Sequence, residues 1–174
     1  FLNGTLIATT TRTQYMANGG GKPLLIGYQT GQPAGHYFNG FVSNVRIIKG
    51  TALYTTSFTP STTPLTAISN TSLLTCQSNR LIDNSTNAST ITKNGDTTVN
   101  SASPFAANSS YSTYGSGLFP TDSGADYLRL PASVSGLTFT ADFTLEFWVY
   151  ATGTEVRQYF GTTTNGKFRL YTNA

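Results

Sequence analysis

Phe143-Thr144-Leu145-Glu146-Phe147-Trp148-Val149-Tyr150 is the stretch whose reading decides the fold class of this chain. Phe143, Leu145, Phe147 and Val149 alternate with Thr144, Glu146, Trp148 and Tyr150, the period of two that sends successive side chains to opposite faces of a strand. One face is purely apolar, and the other carries large amphipathic rings. Working outward, strands are expected at Leu24–Tyr28, Phe41–Ile48, Leu73–Gln77, Thr90–Lys93, Tyr127–Leu130, Gln158–Thr162 and Lys167–Tyr171. Between or beside them stand Asn3-Gly4, Asn18-Gly19, Asn39-Gly40, Asn94-Gly95 and Asn165-Gly166. Such pairs suit hairpin turns, whose central residues need positive φ. The reading is all-β, with short antiparallel strands.

Composition points the same way. Charged residues make up 10 % of the 174 positions, against roughly 25 % in ordinary soluble domains. Thr, Ser, Asn and Gly fill the surface instead, which favours strands and tight turns over helices. Hydrophobic residues at 38 % and aromatics at 13 % supply enough burial for one sandwich core. The formal charge of +3 comes from scattered Lys and Arg, with no basic run of the kind that nucleic acid requires. No stretch approaches the roughly 18–20 apolar residues of a membrane-spanning helix. The chain opens at Phe1 without a Met and shows no signal peptide, so it is expected to be a piece of a longer protein.

Cys76, the one cysteine, cannot form an internal disulfide. In Leu73-Leu74-Thr75-Cys76 it is read as a small buried hydrophobe rather than a reactive thiol. A chain without disulfides is read as a bacterial, phage or viral product rather than a disulfide-rich animal ectodomain. Phe58–Ser69 breaks the strand pattern with Pro60 and Pro64, which cannot donate to a ladder, and is expected to be an extended connector. Asn100–Ser116, rich in Ser, Ala and Asn, is expected to form a long surface loop.

Ala141–Tyr150, ADFTLEFWVY, resembles the signature strand of laminin-G-like jelly rolls of the concanavalin A-like lectin/glucanase superfamily. GLFPTDSGADYLRLP at 117–131 resembles that family's G-x-x-x-F-x-G-x-G-D-Y-L-x-V-P stretch, with Pro120 and Thr121 in place of its Asp-Gly turn. LLTCQSNRLIDNSTNASTITKNGDTTV at 73–99 is similar to the opening strand, turn and second strand, and QYFGTTTNGKFRLYTN at 158–173 to the hairpin after the signature strand. FLNGTLIATT at 1–10 resembles a late strand of the same fold, and YFNGFVSNVRIIKGTALYTTSFTP at 37–60 its closing strand and exit. The resemblance thus covers nearly the whole chain in permuted order. It implies an antiparallel β-sandwich of the jelly-roll, concanavalin A/laminin-G-like kind. Residues 1–60 would be the C-terminal half of one domain, 61–69 a Pro/Thr connector, and 70–174 the N-terminal half of the next. The family's Trp-x-His strand is absent between them. The two halves are expected to associate with each other or with neighbouring copies, because an unclosed half-sandwich exposes strand edges.

Catalytic candidates are few. Retaining glycosidases need two carboxylates about 5–5.5 Å apart. The two Glu are 146 and 155, and no acid at 144 or 148 shares the strand face of Glu146. His36, the only histidine, has no acid beside it for a Ser-His-Asp arrangement, and one Cys with one His makes a poor zinc set. No catalytic residue is expected. Calcium is the better metal candidate, since hard cations take oxygen ligands. Asp83, Asn84 and Asn87 in the opening turn and Asp122 and Asp126 beside the degenerate Gly turn could supply them. The alternative is that these side chains brace turns by bonding their own backbone. Tyr15, Tyr28, Tyr37, Tyr111, Tyr114 and Tyr150 could stack on sugar faces, with Tyr28, Tyr37 and Tyr150 the candidate ligand residues; the alternative is that they pack at strand ends. Sequons at Asn3, Asn70, Asn84, Asn87 and Asn108 arise readily in such a composition.

Three functions follow as expectations. The first is a non-catalytic structural or adhesion repeat of an extracellular, cell-surface or virion (fibre-like) protein, with neighbouring copies as partners. The second is a lectin-like domain binding cell-surface glycan. The third is an accessory carbohydrate-binding module of a secreted polysaccharide-degrading enzyme. Neither nucleic acid nor membrane insertion is expected.

Overall fold

The computed structural model describes residues 1–9, 22–28, 37–105, 114–120, 126–132, 137, 139, 141–152, 157–162 and 169–172. Ten strands run in the order β1 (Leu24–Ile26), β2 (Gly40–Lys49), β3 (Thr71–Thr75), β4 (Thr92–Asn94), β5 (Thr98–Asn100), β6 (Ser116–Phe119), β7 (Tyr127–Arg129), β8 (Phe143–Ala151), β9 (Arg157–Thr162) and β10 (Arg169–Thr172). They form two antiparallel sheets. The first has the order β10-β9-β1-β7-β4; in the second, β2 is flanked by β8 on one side and by β3 and β6 on the other, with β5 beyond β6. The all-β sandwich is therefore the observed architecture. β1 lies between β9 and β7, and β2 between β8 and the β3/β6 pair. Strands from both sides of the 61–69 connector thus share each sheet.

The core fills the space between the inner faces. Val42, Val45 and Ile47 of β2 meet Leu24, Ile26, Leu128 and Phe160 of the first sheet, with Phe38 and Phe119 fully enclosed. β8 adds its odd residues: Phe147 meets the Phe160 ring edge-on at 4.8 Å, and Phe143 lies 4.9 Å from Phe139. This is the apolar face that the alternation predicts.

β2, ten residues long, is irregular at its middle. Asn44 has φ 53°, and the register with β8 shifts between Ser43 and Arg46. The irregularity divides the far side of β2. Gly40–Val42 pair with β6, and Val45–Ile48 pair with β3. Asn tolerates the left-handed region better than other non-glycine residues. Here its side chain is also committed: Oδ1 accepts from Leu65 N–H at 2.8 Å and Nδ2 donates to Ser43 Oγ at 2.8 Å. Its backbone N–H donates to Cys76 O at 3.0 Å.

Of the expected loop Asn100–Ser116, residues 101–105 and 114–115 hold no strand and 106–113 lie outside the described residues; its end residues belong to β5 and β6, which pair with each other and show no alternation in sequence. The hairpin reading of the Asn-Gly pairs is corrected in part. Of the three described Asn-Gly pairs, Asn3-Gly4 closes a tight turn between the bridged Leu2 and Thr5, with φ 48° and 78°, and Asn94-Gly95 enters a second turn at Gly95-Asp96. Asn94-Gly95 joins β4 to β5, which belong to different sheets, so it is a corner and not a hairpin. Gly40 opens β2 at φ 136°, where a Cβ would stand 2.1 Å from Tyr150 O; glycine is required there by close approach. Asn18-Gly19 and Asn165-Gly166 lie outside the described residues. The 58–69 segment holds no strand and is tied across the outer face of the second sheet through Leu65 and Thr66.

Candidate functional site

The outer face of the second sheet carries the polar and aromatic half of the β8 alternation. Because β2 and β8 are antiparallel, Tyr150 pairs with Phe41, Trp148 with Ser43, Glu146 with Arg46 and Thr144 with Ile48. Side chains directly opposite on one face are in contact range. At one end, Phe41, Ser43, Trp148 and Tyr150 join Ser116 of β6 and the Ala102-Ser103-Pro104 segment to line a cleft of about 400 Å³. Phe105 meets the Trp148 indole edge-on at 5.2 Å. The Ser43 hydroxyl is satisfied, donating to Gly115 O at 2.6 Å. Among the described residues the buried Ser116 hydroxyl has no hydrogen-bond partner. Tyr150, 70 % exposed, forms the rim.

At the other end the face is closed by an ion pair. Arg46 Nε and Nη2 both reach Glu146 Oε1, at 2.7 and 2.6 Å, with side chains 7 % and 12 % exposed. Arg46 Nη1 donates to Thr66 O at 2.8 Å, and the Tyr54 hydroxyl donates to Glu146 Oε2 at 3.0 Å. Burial, followed by the Glu146 carboxylate, pushes the Tyr54 hydroxyl above its usual range, with Arg46 pulling weakly the other way. Both oxygens of Glu146 are thereby engaged, and its nearest charged neighbour is a cation.

The tyrosines picked from sequence separate into two places. Tyr28 and Tyr37 stack with ring centres 4.3 Å apart and planes 10° from parallel, and Tyr127 lies 5.3 Å from Tyr28. Burial pushes the Tyr37 hydroxyl up to about 12, aided by its hydrogen bond to Tyr28 and by the nearby Tyr28, Tyr127 and Asp126. These rings spend their faces on one another. Tyr150 is on the other sheet beside Phe41, at 6.2 Å.

The calcium candidates are similarly divided. Asp83 is buried, and its carboxylate accepts from three backbone amides: Leu74 (3.1 Å) and Ser85 (2.9 Å) on Oδ1, and Ser89 (2.9 Å) on Oδ2. Asn84 N–H donates to Leu74 O, and Asn87 Nδ2 to Ser72 O. This turn bonds its own chain and the outer edge of β3, the backbone-bracing alternative weighed for these residues. Asp126 is buried and accepts from Asp96 N–H at 2.6 Å. Among the described residues no group of three or more His, Cys, Asp or Glu could hold a metal ion. Cys76 is fully buried and its thiol is pushed up to about 12 by burial. Tyr15, His36, Asn108, Tyr111, Asp122 and Glu155 lie outside the described residues.

Sequence reasoning missed the cleft, although part of its signal was present: Trp148 and Tyr150 share a strand face by the period of two. Phe41, Ser43 and Ser116 join them only through strand pairing. No family model, curated protein or solved structure matches the chain.

Proposed function

We propose that this chain is a non-catalytic structural and adhesion module of an extracellular, cell-surface or virion fibre-like protein, built on a jelly-roll repeat of the laminin-G/concanavalin A kind. The observation that carries this reading is the use made of Glu146. A general acid or nucleophile needs a second carboxylate nearby and an oxygen free to meet substrate. Glu146 instead faces Arg46, with Tyr54 on its second oxygen. Asp83, the buried acid of the opening turn, is held by backbone amides. The sequence resemblance, in permuted order on either side of the connector, supports tandem copies of such a module as neighbours.

The test is an assay of reducing-end release from a panel of β-glucans and other polysaccharides. No release is expected. Hydrolysis that disappears in Glu146→Gln would sink the non-catalytic reading.

A second reading, glycan binding, is favoured by the cleft. An exposed Tyr150 beside Trp148 and Phe41 offers ring faces for sugar stacking above the Ser116 hydroxyl, which has no partner among the described residues. The same chemistry would serve an accessory module of a polysaccharide-degrading enzyme. Retention on a glycan array that falls in Tyr150→Ala and Trp148→Ala supports it; a blank array removes it.

A further inference from the structure

β8 pairs with β2 and, among the described residues, with no strand on its other side. In an antiparallel ladder, residues alternate between turning their N–H and C=O toward one neighbour and away from it. Gly50 N–H donates to Asp142 O at 2.6 Å, and Thr152 N–H donates to Asn39 O at 3.1 Å. The even-numbered residues therefore face β2. Phe143, Leu145, Phe147, Val149 and Ala151 direct their amides and carbonyls outward, a row of ladder positions that no described strand occupies, over a nine-residue strand.

The other edges are protected. β4 and β5 are three residues long, and β4 carries Lys93. β10 is short and its pairing shifts register between Leu170 and Tyr171. On β3 the outward groups of Ser72 and Leu74 are taken by the turn from Asp83 to Asn87. Short strands, lysines, bulges and covering loops are the means by which proteins block strand addition. β8 is nine residues long and carries no Lys, the extra residue in its pairing with β2 falls on β2, and among the described residues no loop hydrogen-bonds along its outer edge. Its one charge, Glu146, is neutralised by Arg46. Alongside it runs a groove of about 440 Å³, lined by both faces of β8 and walled by Phe1, Tyr54 and Phe58, whose rings pack together.

We propose that the β8 edge is a strand-pairing interface for β8 of a second copy, joined antiparallel about a twofold axis at Phe147, so that the two second sheets become one continuous sheet. The sequence of β8 is self-complementary in this register. Leu145 opposes Val149 of the second copy, Phe143 opposes Ala151, and Glu146 opposes Trp148. Centring one residue earlier would set Glu146 against Glu146, which is destabilising. The register also brings the exposed Tyr150 of the second copy opposite Thr144, at the end of β8 where the Phe1, Tyr54 and Phe58 wall stands. A net charge of +3 offers little repulsion between copies. This deepens the assembly reading and rests on it for the choice of a second copy as partner.

The test is sedimentation of the 174-residue chain from low micromolar to submillimolar concentration, beside two variants. Val149 is 42 % exposed and its N–H faces outward, so Val149→Pro removes an edge donor while sparing the β2 ladder. Val149→Lys places a charge on the edge with no backbone change. The wild type is expected to dimerise, and each variant to weaken dimerisation by roughly tenfold or more with unchanged circular dichroism. A wild type that stays monomeric throughout, or folded variants that dimerise equally well, overturns the proposal. Mixed Leu145→Cys and Val149→Cys chains should cross-link as a heterodimer, with Cys76 too buried to interfere. Preferential Val149→Cys homodimers would refute the register. Each result is independent of the hydrolysis assay, so the interface can fail while the non-catalytic reading stands.

Discussion

Arg46 on β2 and Glu146 on β8, 100 residues apart in sequence, face each other in the ladder and share a single carboxylate oxygen at 2.7 and 2.6 Å. The pair lies under the connector, whose Thr66 carbonyl accepts from the same guanidinium at 2.8 Å. It therefore joins three segments of chain at the outer face of one sheet. A buried pair of this kind gains little over well-packed apolar residues, because desolvating both charges offsets much of their attraction. Breaking it from one side is a different matter.

Glu146→Ala leaves the Arg46 guanidinium buried without its counter-charge. The expected loss is about 3–5 kcal/mol, read as a fall in the urea midpoint. Replacing both, as Arg46→Met with Glu146→Leu, is expected to recover most of that loss. A double variant as unstable as the single one would show that the pair contributes through more than its charges.

Asn44→Ala is expected to cost about 2–4 kcal/mol, from a left-handed backbone without Asn and a buried Leu65 N–H without its acceptor. Asn44→Gly keeps the backbone freedom and loses the acceptor, so it should fall between wild type and Asn44→Ala. Equal losses in the two variants would assign the whole effect to the hydrogen bonds.

Asp83→Ala strips three backbone amides of their acceptor and uncovers the β3 edge. A loss of roughly 2 kcal/mol or more is expected, and Asp83→Asn should recover part of it. Because both oxygens already serve amides, millimolar calcium or EDTA is expected to leave the wild-type melting temperature unmoved. A calcium-dependent rise that Asp83→Ala abolishes would make this turn a metal site.

Alkaline pH should destabilise the fold, and the sign follows from burial. Cys76 ionises near 9.0 when unshifted and at about 12 in the fold. Above about pH 9 the unfolded chain has lost a proton that the native chain retains, so stability falls at up to about 1.4 kcal/mol per pH unit. The Cys76 contribution is intact below pH 9 and is gone by the folded value near 12. Tyr37 and Tyr54, both raised above 10.0, extend the loss at higher pH. Urea midpoints measured from about pH 8 to about 11 check this, and Cys76→Ala should flatten the first part of the decline. Ellman's reagent should leave the native thiol unlabelled until the chain is unfolded.

Much of the strand content was legible because the signal is local. Phe143–Tyr150 declares both its faces by alternation, and Phe41–Ile48 falls within one residue of the observed β2. Thr98–Asn100 and Ser116–Phe119 gave no such signal. They are three and four residues long, too short for a period, and Gly117, packed near the Phe119 ring and the Cys76 sulfur, adds no side chain to one. The candidate site was half legible. Trp148 and Tyr150 share a face in any strand, but Tyr28 and Tyr37 turned toward each other, and nothing local marks Phe41, Ser43 and Ser116 as the walls of one cleft.

By itself the sequence determined that this is a β protein, that β8 has one apolar face, and that Glu146 has no acidic neighbour on its strand. These follow from the two-residue period of the backbone and from which residues are present. Only the tertiary structure decided that Glu146 meets Arg46, that Asn44 divides β2 between two partners, and that one edge of β8 meets no described strand. Each of these depends on which strands lie side by side. That is settled by non-local packing across about a hundred residues, where the alternation of any single strand is satisfied equally well by many neighbours.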